Sequence, residues 1–199
     1  MKKLILTGII AIAAIAILQA GLNPGDVAKD FTLKNVDDRD VSLSDYLDQK
    51  GVIVVFTCNP CPFAKAYEQR IIQLDTKYAE QGFPVIAINP NDEEISPEDT
   101  MEKMKALATE KKYPFPYLKD DTGDVFRAYG ATRTPHIYLL EKAGEKFKVA
   151  YIGAIDNNAM DASDVTERYL EKAIASVQSG SSPNPNTTKA VGCTIKSKN

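Results

Sequence analysis

Hydrophobic positions along this chain come in two kinds of run. The first kind is unbroken. Val52-Ile53-Val54-Val55-Phe56 after Gly51, and Val85-Ile86-Ala87-Ile88 within Phe83–Asn89, are short and rich in β-branched residues. Runs of that length and composition predict strands buried on both faces of a sheet. The second kind is spaced. Ala64, Tyr67, Ile71, Leu74 and Tyr78 recur at intervals of three and four, which predicts one apolar face of a helix, with Gly82 as its C-terminal stop. Ser96-Pro97-Glu98-Asp99 predicts another helix start, with Ser96 as N-cap, Pro97 at the first position and an acid three residues after the cap. Met101, Met104, Leu107 and Ala108 continue that helix, and at helical spacing the methionines read as core rather than as a soft-metal site.

The remaining pattern is shorter. Asp30–Leu33 and Val41–Leu43 are strand-like pieces around a polar turn, followed by one helical turn at Ser44–Leu47. Phe115–Leu118 reads as extended, Val125–Tyr129 as a short helix closed by Gly130, and Thr134–Leu140 as a strand. Ala143-Gly144-Glu145 makes a hairpin turn into Lys148–Gly153. A last helix is predicted from about Ser163 to Val177, with Val165, Tyr169, Ala173, Ile174 and Val177 inward and Gly180 beyond it. Parallel strands joined by helices come first and an antiparallel pair later, so the fold class is α/β with a mixed central sheet flanked by helices. The predicted domain spans residues 24–179. Residues 180–199 are a tail: a Pro/Ser/Asn linker, then Thr188–Lys198, which carries Cys193.

The N-terminus adds a location. Lys2 and Lys3 precede an apolar run from Leu4 to Leu18, and Gln19-Ala20 leads into a turn-prone stretch. This is the layout of a secretory signal peptide over residues 1–20, cut after Ala20; an uncleaved anchor is the alternative, for which the run is short. Either way the rest is expected to be exported to the periplasm or cell envelope. Of the 199 residues, 44% are hydrophobic and 26% charged, the balance of an ordinary globule. A net charge of −3 without a basic run gives nucleic acid no purchase.

The candidate chemistry is sulfur. The chain has 3 cysteines. Cys58 and Cys61 stand two residues apart where the first buried strand gives way to its helix. Free N–H groups and the helix dipole there favour a thiolate, the attacking species in disulfide exchange. Cys58, just before the helix, is expected to be exposed and to attack; Cys61, one turn in, is expected to be more buried and to resolve the mixed disulfide. Pro60 and Pro62 suit a helix start. An exported chain stapled for stability would carry an even number of widely spaced cysteines, so these are read as working thiols.

A strand leading into Cys-x-x-Cys, with a later Thr134-Pro135 opening a strand, resembles the thioredoxin fold. More narrowly it resembles the redoxin branch, which holds relatives of alkyl hydroperoxide reductase and thiol-specific antioxidant and exported thiol–disulfide oxidoreductases. Cys58-Asn59-Pro60-Cys61-Pro62 before Lys65-Ala66-Tyr67, and the tail Thr188–Lys196 around Gly192-Cys193, are similar to one bacterial subgroup of that branch. The resemblance implies a cis Pro135 facing the cysteines, with the Thr134 backbone available to an extended substrate; the residues alone would read as a trans proline at an edge-strand start. It also implies substrate contacts at Asn59 and Pro60, and Pro60 points to a reductase. The chain departs from thioredoxin where Val52 replaces a buried acid and Thr57 an aromatic. Glu68 is a substitute candidate for that acid, although a solvated helix-face glutamate is the plainer reading. Within the subgroup, Pro60 replaces a common His, and Ser197 an aromatic.

Cys193 admits three readings: a third redox thiol reaching the pair through the linker, a free buried thiol, or a link to another chain. The expected function is therefore an exported thiol–disulfide oxidoreductase with no cofactor and no metal. Its partners would be protein or small-molecule disulfides and a reducing partner, expected in the membrane. A peroxiredoxin-like thiol peroxidase is the first alternative. Its Pro-x-x-x-Thr-x-x-Cys pattern meets Val54 and Cys58 in the Pro and Thr places. A metal-binding or copper-delivery module is the second, on a count of three cysteines and His136.

Overall fold

The computed structural model describes residues 21–198. The expected signal peptide or anchor, with its cleavage point, lies outside the described residues. Among the described residues no helix is long and apolar enough to cross a membrane.

The two unbroken runs become strands β3 (Gly51–Phe56) and β4 (Val85–Asn89), every residue of both buried. They pair in parallel, and β3 is flanked on its other side by the antiparallel β7 (His136–Ala143). With β1 (Thr32–Asn35), β2 (Asp40–Ser42), β5 (Tyr117–Lys119) and β8 (Lys146–Gly153), the sheet order is β2-β1-β5-β4-β3-β7-β8. So β3 lies inside the sheet, with its carboxyl end at the sheet rim.

Alternate residues of β3 feed two cores, as strand geometry requires. Ile53 and Val55 face one side, with Tyr67, Ile71 and Leu74 of α1 (Pro62–Tyr78) and Leu170, Ala173 and Ile174 of α4 (Tyr169–Gln178). Val52, Val54 and Phe56 face the other, with Phe126 and Tyr129 of α3 (Asp124–Tyr129) and Phe31. Gly82 ends the α1 region in a left-handed conformation (φ 91°), which its missing Cβ permits. The expected apolar face of α1 is buried throughout.

Several boundaries differ from expectation. Cys61 is not one turn into α1 but its N-cap, with Pro62 the first helical residue. Ser96 and Pro97 open a single 3-10 turn; α2 (Met101–Lys111) starts later, capped by Thr100, because the Ser96 hydroxyl donates to Asp99 instead of capping a longer helix. Only Met104 of α2 is buried. The last helix begins at Tyr169 and not Ser163. Asn157 Oδ1 accepts the N–H groups of Thr166 and Glu167 at 3.1 and 3.0 Å and holds that stretch extended. The strand expected at Thr134–Leu140 is split at Pro135 into β6 (Arg133–Thr134) and β7, and the Thr134–Pro135 bond is cis.

The tail is not a free linker. Ile152 donates to Asn186 O and accepts from Thr188 N, and the Thr188 hydroxyl accepts from Ala154 N at 3.0 Å. Beyond it, β9 (Cys193–Thr194) pairs antiparallel with β6, Thr134 opposite Cys193.

Candidate active site

The carboxyl end of β3, the N-terminus of α1 and the Thr134–Pro135 turn meet at one point. The peptide folds that way locally because Pro62 has no N–H to leave unpaired at a helix start. Asn59 and Pro60, half-buried, make the turn between the cysteines. Cys58 and Cys61 share a small apolar cluster with Ala64, and Cys193 and Phe63 pack on it.

Both sulfurs of the pair meet Thr134, which is fully buried. Cys58 Sγ is 3.1 Å from Thr134 Oγ1, and Cys61 Sγ is 3.2 Å from the Thr134 carbonyl oxygen. Cys61 is joined to Cys193 as a disulfide with a Cα–Cα separation of 6.1 Å, and Cys58 is a free thiol. The site thus brings Cys58, Cys61, Thr134, Pro135, Asn59, Pro60 and Cys193 together.

Two expectations are corrected. Cys58 is not exposed: its accessible fraction is 6%, little more than the 3% of Cys61. Nor does the helix terminus leave it an acidic thiol. Burial pushes the Cys58 thiol up, and the nearby Asp99 carboxylate adds to the shift, while the Thr134 hydroxyl acts the other way. The helix cap is Cys61, so Cys58 stands outside the first turn, where the dipole effect has faded.

The motif reading missed the support beneath Cys58. Asp99 is fully buried and accepts the Asn59 backbone N–H at 2.8 Å. The same carboxylate accepts from Asn89 Nδ2, Asn91 Nδ2 and Ser96 Oγ. Tyr117 OH donates to Asn59 Oδ1, and Asn89 Nδ2 donates to Tyr117 OH. The signal was present in Asn89-Pro90-Asn91, a polar cluster at the carboxyl end of the strand beside β3, where α/β sheets place their sites. Glu68 pairs with Lys111 and Tyr113, and with Cys58 it lines a small pocket beside α1.

His136 follows Pro135 and is buried, with its Nδ1 accepting from Thr132 N at 3.3 Å. Among the described residues no three His, Cys, Asp or Glu side chains are grouped as metal ligands.

The AhpC/TSA family matches residues 24–151. A relative among characterised proteins, the thiol-disulfide oxidoreductase ResA of Geobacillus kaustophilus, is 29% identical over 150 residues, covering 74% of this chain and 76% of its own. Two solved structures share the fold over nearly the whole length. A hypothetical protein from Sinorhizobium meliloti superposes with a TM-score of 0.82 at 32% identity, covering 90% of this chain and 97% of that one. An uncharacterised protein from Geobacillus kaustophilus superposes with a TM-score of 0.81 at 36% identity, covering 89% and 93%. The family match runs from the first turn through both strands and the Thr134–Pro135 turn, and the chain belongs to the AhpC/TSA family, as a thioredoxin-like oxidoreductase.

Proposed function

We propose that this protein is an exported thiol–disulfide oxidoreductase working in the reducing direction, with Cys58 as nucleophile and Cys61 as resolving thiol. The observation that carries the reading is the placement of both sulfurs on Thr134, one at its hydroxyl and one at its carbonyl. The Cys58 thiolate attacks a substrate disulfide, forming a mixed disulfide and releasing one substrate thiol. Cys61 then attacks Cys58 Sγ, forming Cys58–Cys61 and releasing the second thiol. Thr134 and Pro135, together with Asn59 and Pro60, hold the substrate backbone as an added strand.

Two sequence features support the direction and the setting. Pro60 between the cysteines goes with reducing proteins in thioredoxin-like chains, and the N-terminal pattern of residues 1–20 is that of an export signal. An exported reductase needs a dithiol carrier to recharge it, and a membrane protein is the source that fits. The relative named as a thiol-disulfide oxidoreductase favours the same chemistry.

Trapping tests the order of attack. Cys61→Ala should stall as a mixed disulfide on Cys58, visible as a covalent adduct that dithiothreitol releases. Adducts forming equally well in Cys58→Ala, or none in Cys61→Ala, would overturn the assignment. Insulin reduction coupled to dithiothreitol should exceed peroxide consumption under the same conditions; the reverse would make the protein a thiol peroxidase.

A further inference from the structure

The docking edge that the proposed function requires is already filled. Antiparallel pairing sets Cys193 opposite Thr134 and Thr194 opposite Arg133, and Ile195 N donates to Thr132 O at 3.2 Å. The tail is anchored on both sides of that pairing. Upstream, Thr188 is tied to Ile152, Tyr151 and Ala154. Downstream, Lys196 N donates to Asn91 Oδ1 at 2.9 Å and Asp92 N donates to Lys196 O at 2.8 Å. Ile195 is buried in the core that also holds Phe56 and Phe126.

Gly192 shows how close the fit is. A Cβ built there would stand 2.2 Å from the Thr134 carbonyl oxygen and 3.0 Å from Pro135 N. Any other residue would push the tail off the Thr134–Pro135 peptide. Contact this tight and in register is how the backbone of an extended substrate would sit, with the difference that the tail is bonded to Cys61 and a substrate would be bonded to Cys58.

We propose that residues 188–198 are a tethered internal strand that competes with substrate for the Thr134 edge, and that Cys193 takes the disulfide over from the Cys58–Cys61 pair. This deepens the oxidoreductase reading and rests on it. Once a substrate has been reduced, the enzyme holds a Cys58–Cys61 disulfide and a Cys193 thiol. The Cys193 thiolate attacks Cys61 Sγ. The Cys61–Cys193 bond forms, the Cys58–Cys61 bond breaks, and Cys58 leaves as a thiolate that takes up the proton Cys193 gave up. One disulfide and one thiol are present before and after, so no outside oxidant or reductant is needed.

The product is the arrangement seen here, a Cys61–Cys193 bond with Cys58 free. Its effect is to make release one-way. The substrate thiols cannot return and be reoxidised, because the edge they would dock on is covered. Recharging then takes an external dithiol, which attacks Cys193, the least buried of the three cysteines. Its first thiol forms a mixed disulfide there and frees Cys61. Its second thiol closes the carrier's own disulfide and frees Cys193, and the tail lifts.

Disulfide mapping tests this. The fully reduced full-length protein is turned over with 2-hydroxyethyl disulfide, quenched in acid, alkylated with N-ethylmaleimide and digested without reduction. The expected product is a Cys61–Cys193 link in at least tenfold excess over Cys58–Cys61, with the maleimide on Cys58. Gly192→Ala, which keeps all three thiols, should reverse that ratio. A Cys58–Cys61 link predominating in the wild type, or a ratio unmoved by Gly192→Ala, would overturn the proposal. Insulin reduction separates the two claims. Insulin turnover with only Cys58–Cys61 ever formed would sink the tail's role and leave the oxidoreductase. The expected links without insulin turnover would keep the exchange and sink the general reductase.

Discussion

Asp99 holds the backbone N–H of Asn59 at 2.8 Å from a position with no solvent exposure at all, 40 residues further along the chain. The carboxylate therefore fixes the turn between the two cysteines from below. It also reaches the tail, since Asn91 donates to Asp99 and accepts from Lys196. One buried acid thus ties the Cys58 turn to the strand that covers it.

This arrangement predicts opposite pH effects from two substitutions. Asp99→Asn removes a negative charge near Cys58, which favours the thiolate, so the pH midpoint for alkylation of Cys58 should move down. Thr134→Val removes the hydroxyl that favours the Cys58 thiolate, so the midpoint should move up. Iodoacetamide rates against pH on the oxidised protein, where Cys58 is the free thiol, read both. Shifts of the same sign would show that one of the two groups does not act on Cys58 as described.

Arg70 and Asp156 form a buried ion pair at 2.6 Å, and Tyr67 OH donates to the same carboxylate at 2.8 Å. Arg70 also donates to the carbonyls of Asn158 and Ala159. Removing one partner leaves the other charged and buried, which costs about 3–5 kcal/mol. Denaturant unfolding of Asp156→Ala should show a loss of that order. A loss under about 1 kcal/mol, the scale of an exposed pair, would mean the charge is reached by water.

His136 supplies a pH-dependent term in stability. Burial lowers its pKa from 6.5 to about 4, so the folded chain keeps it neutral and protonation favours the unfolded state. Its contribution is whole above pH 6.5, falls as the pH drops towards about 4, and falls no further below that. The full loss is about 3 kcal/mol from the size of the shift. His136→Asn, a neutral side chain that can still accept from Thr132 N, should lose less stability than the wild type between those limits. Parallel curves of unfolding free energy against pH would remove His136 from the account.

Much of the fold was legible because its causes are local. The β-branched runs at Val52–Phe56 and Val85–Ile88 could only be buried strands of this length, and the three-and-four spacing from Ala64 to Tyr78 could only pack as a helix on them. The cysteine spacing and the Thr134-Pro135 pair marked two segments that the fold brings together. The last helix starts later than its period suggests because Val165 matches that period, yet the Asn157 side chain, nine residues before Thr166, holds the backbone there extended.

What the amino-acid order settled by itself was the framework: a strand, a turn carrying two sulfurs, and a helix behind them. The state of those sulfurs was decided by contacts between distant segments. Cys58 meets Thr134 across 76 residues, and Cys61 meets Cys193 across 132. Helix-end arguments favoured an exposed, acidic Cys58, but burial under a docked tail outweighs a dipole that fades within one turn. Desolvation depends on everything that packs around an atom, and no local pattern of residues records that.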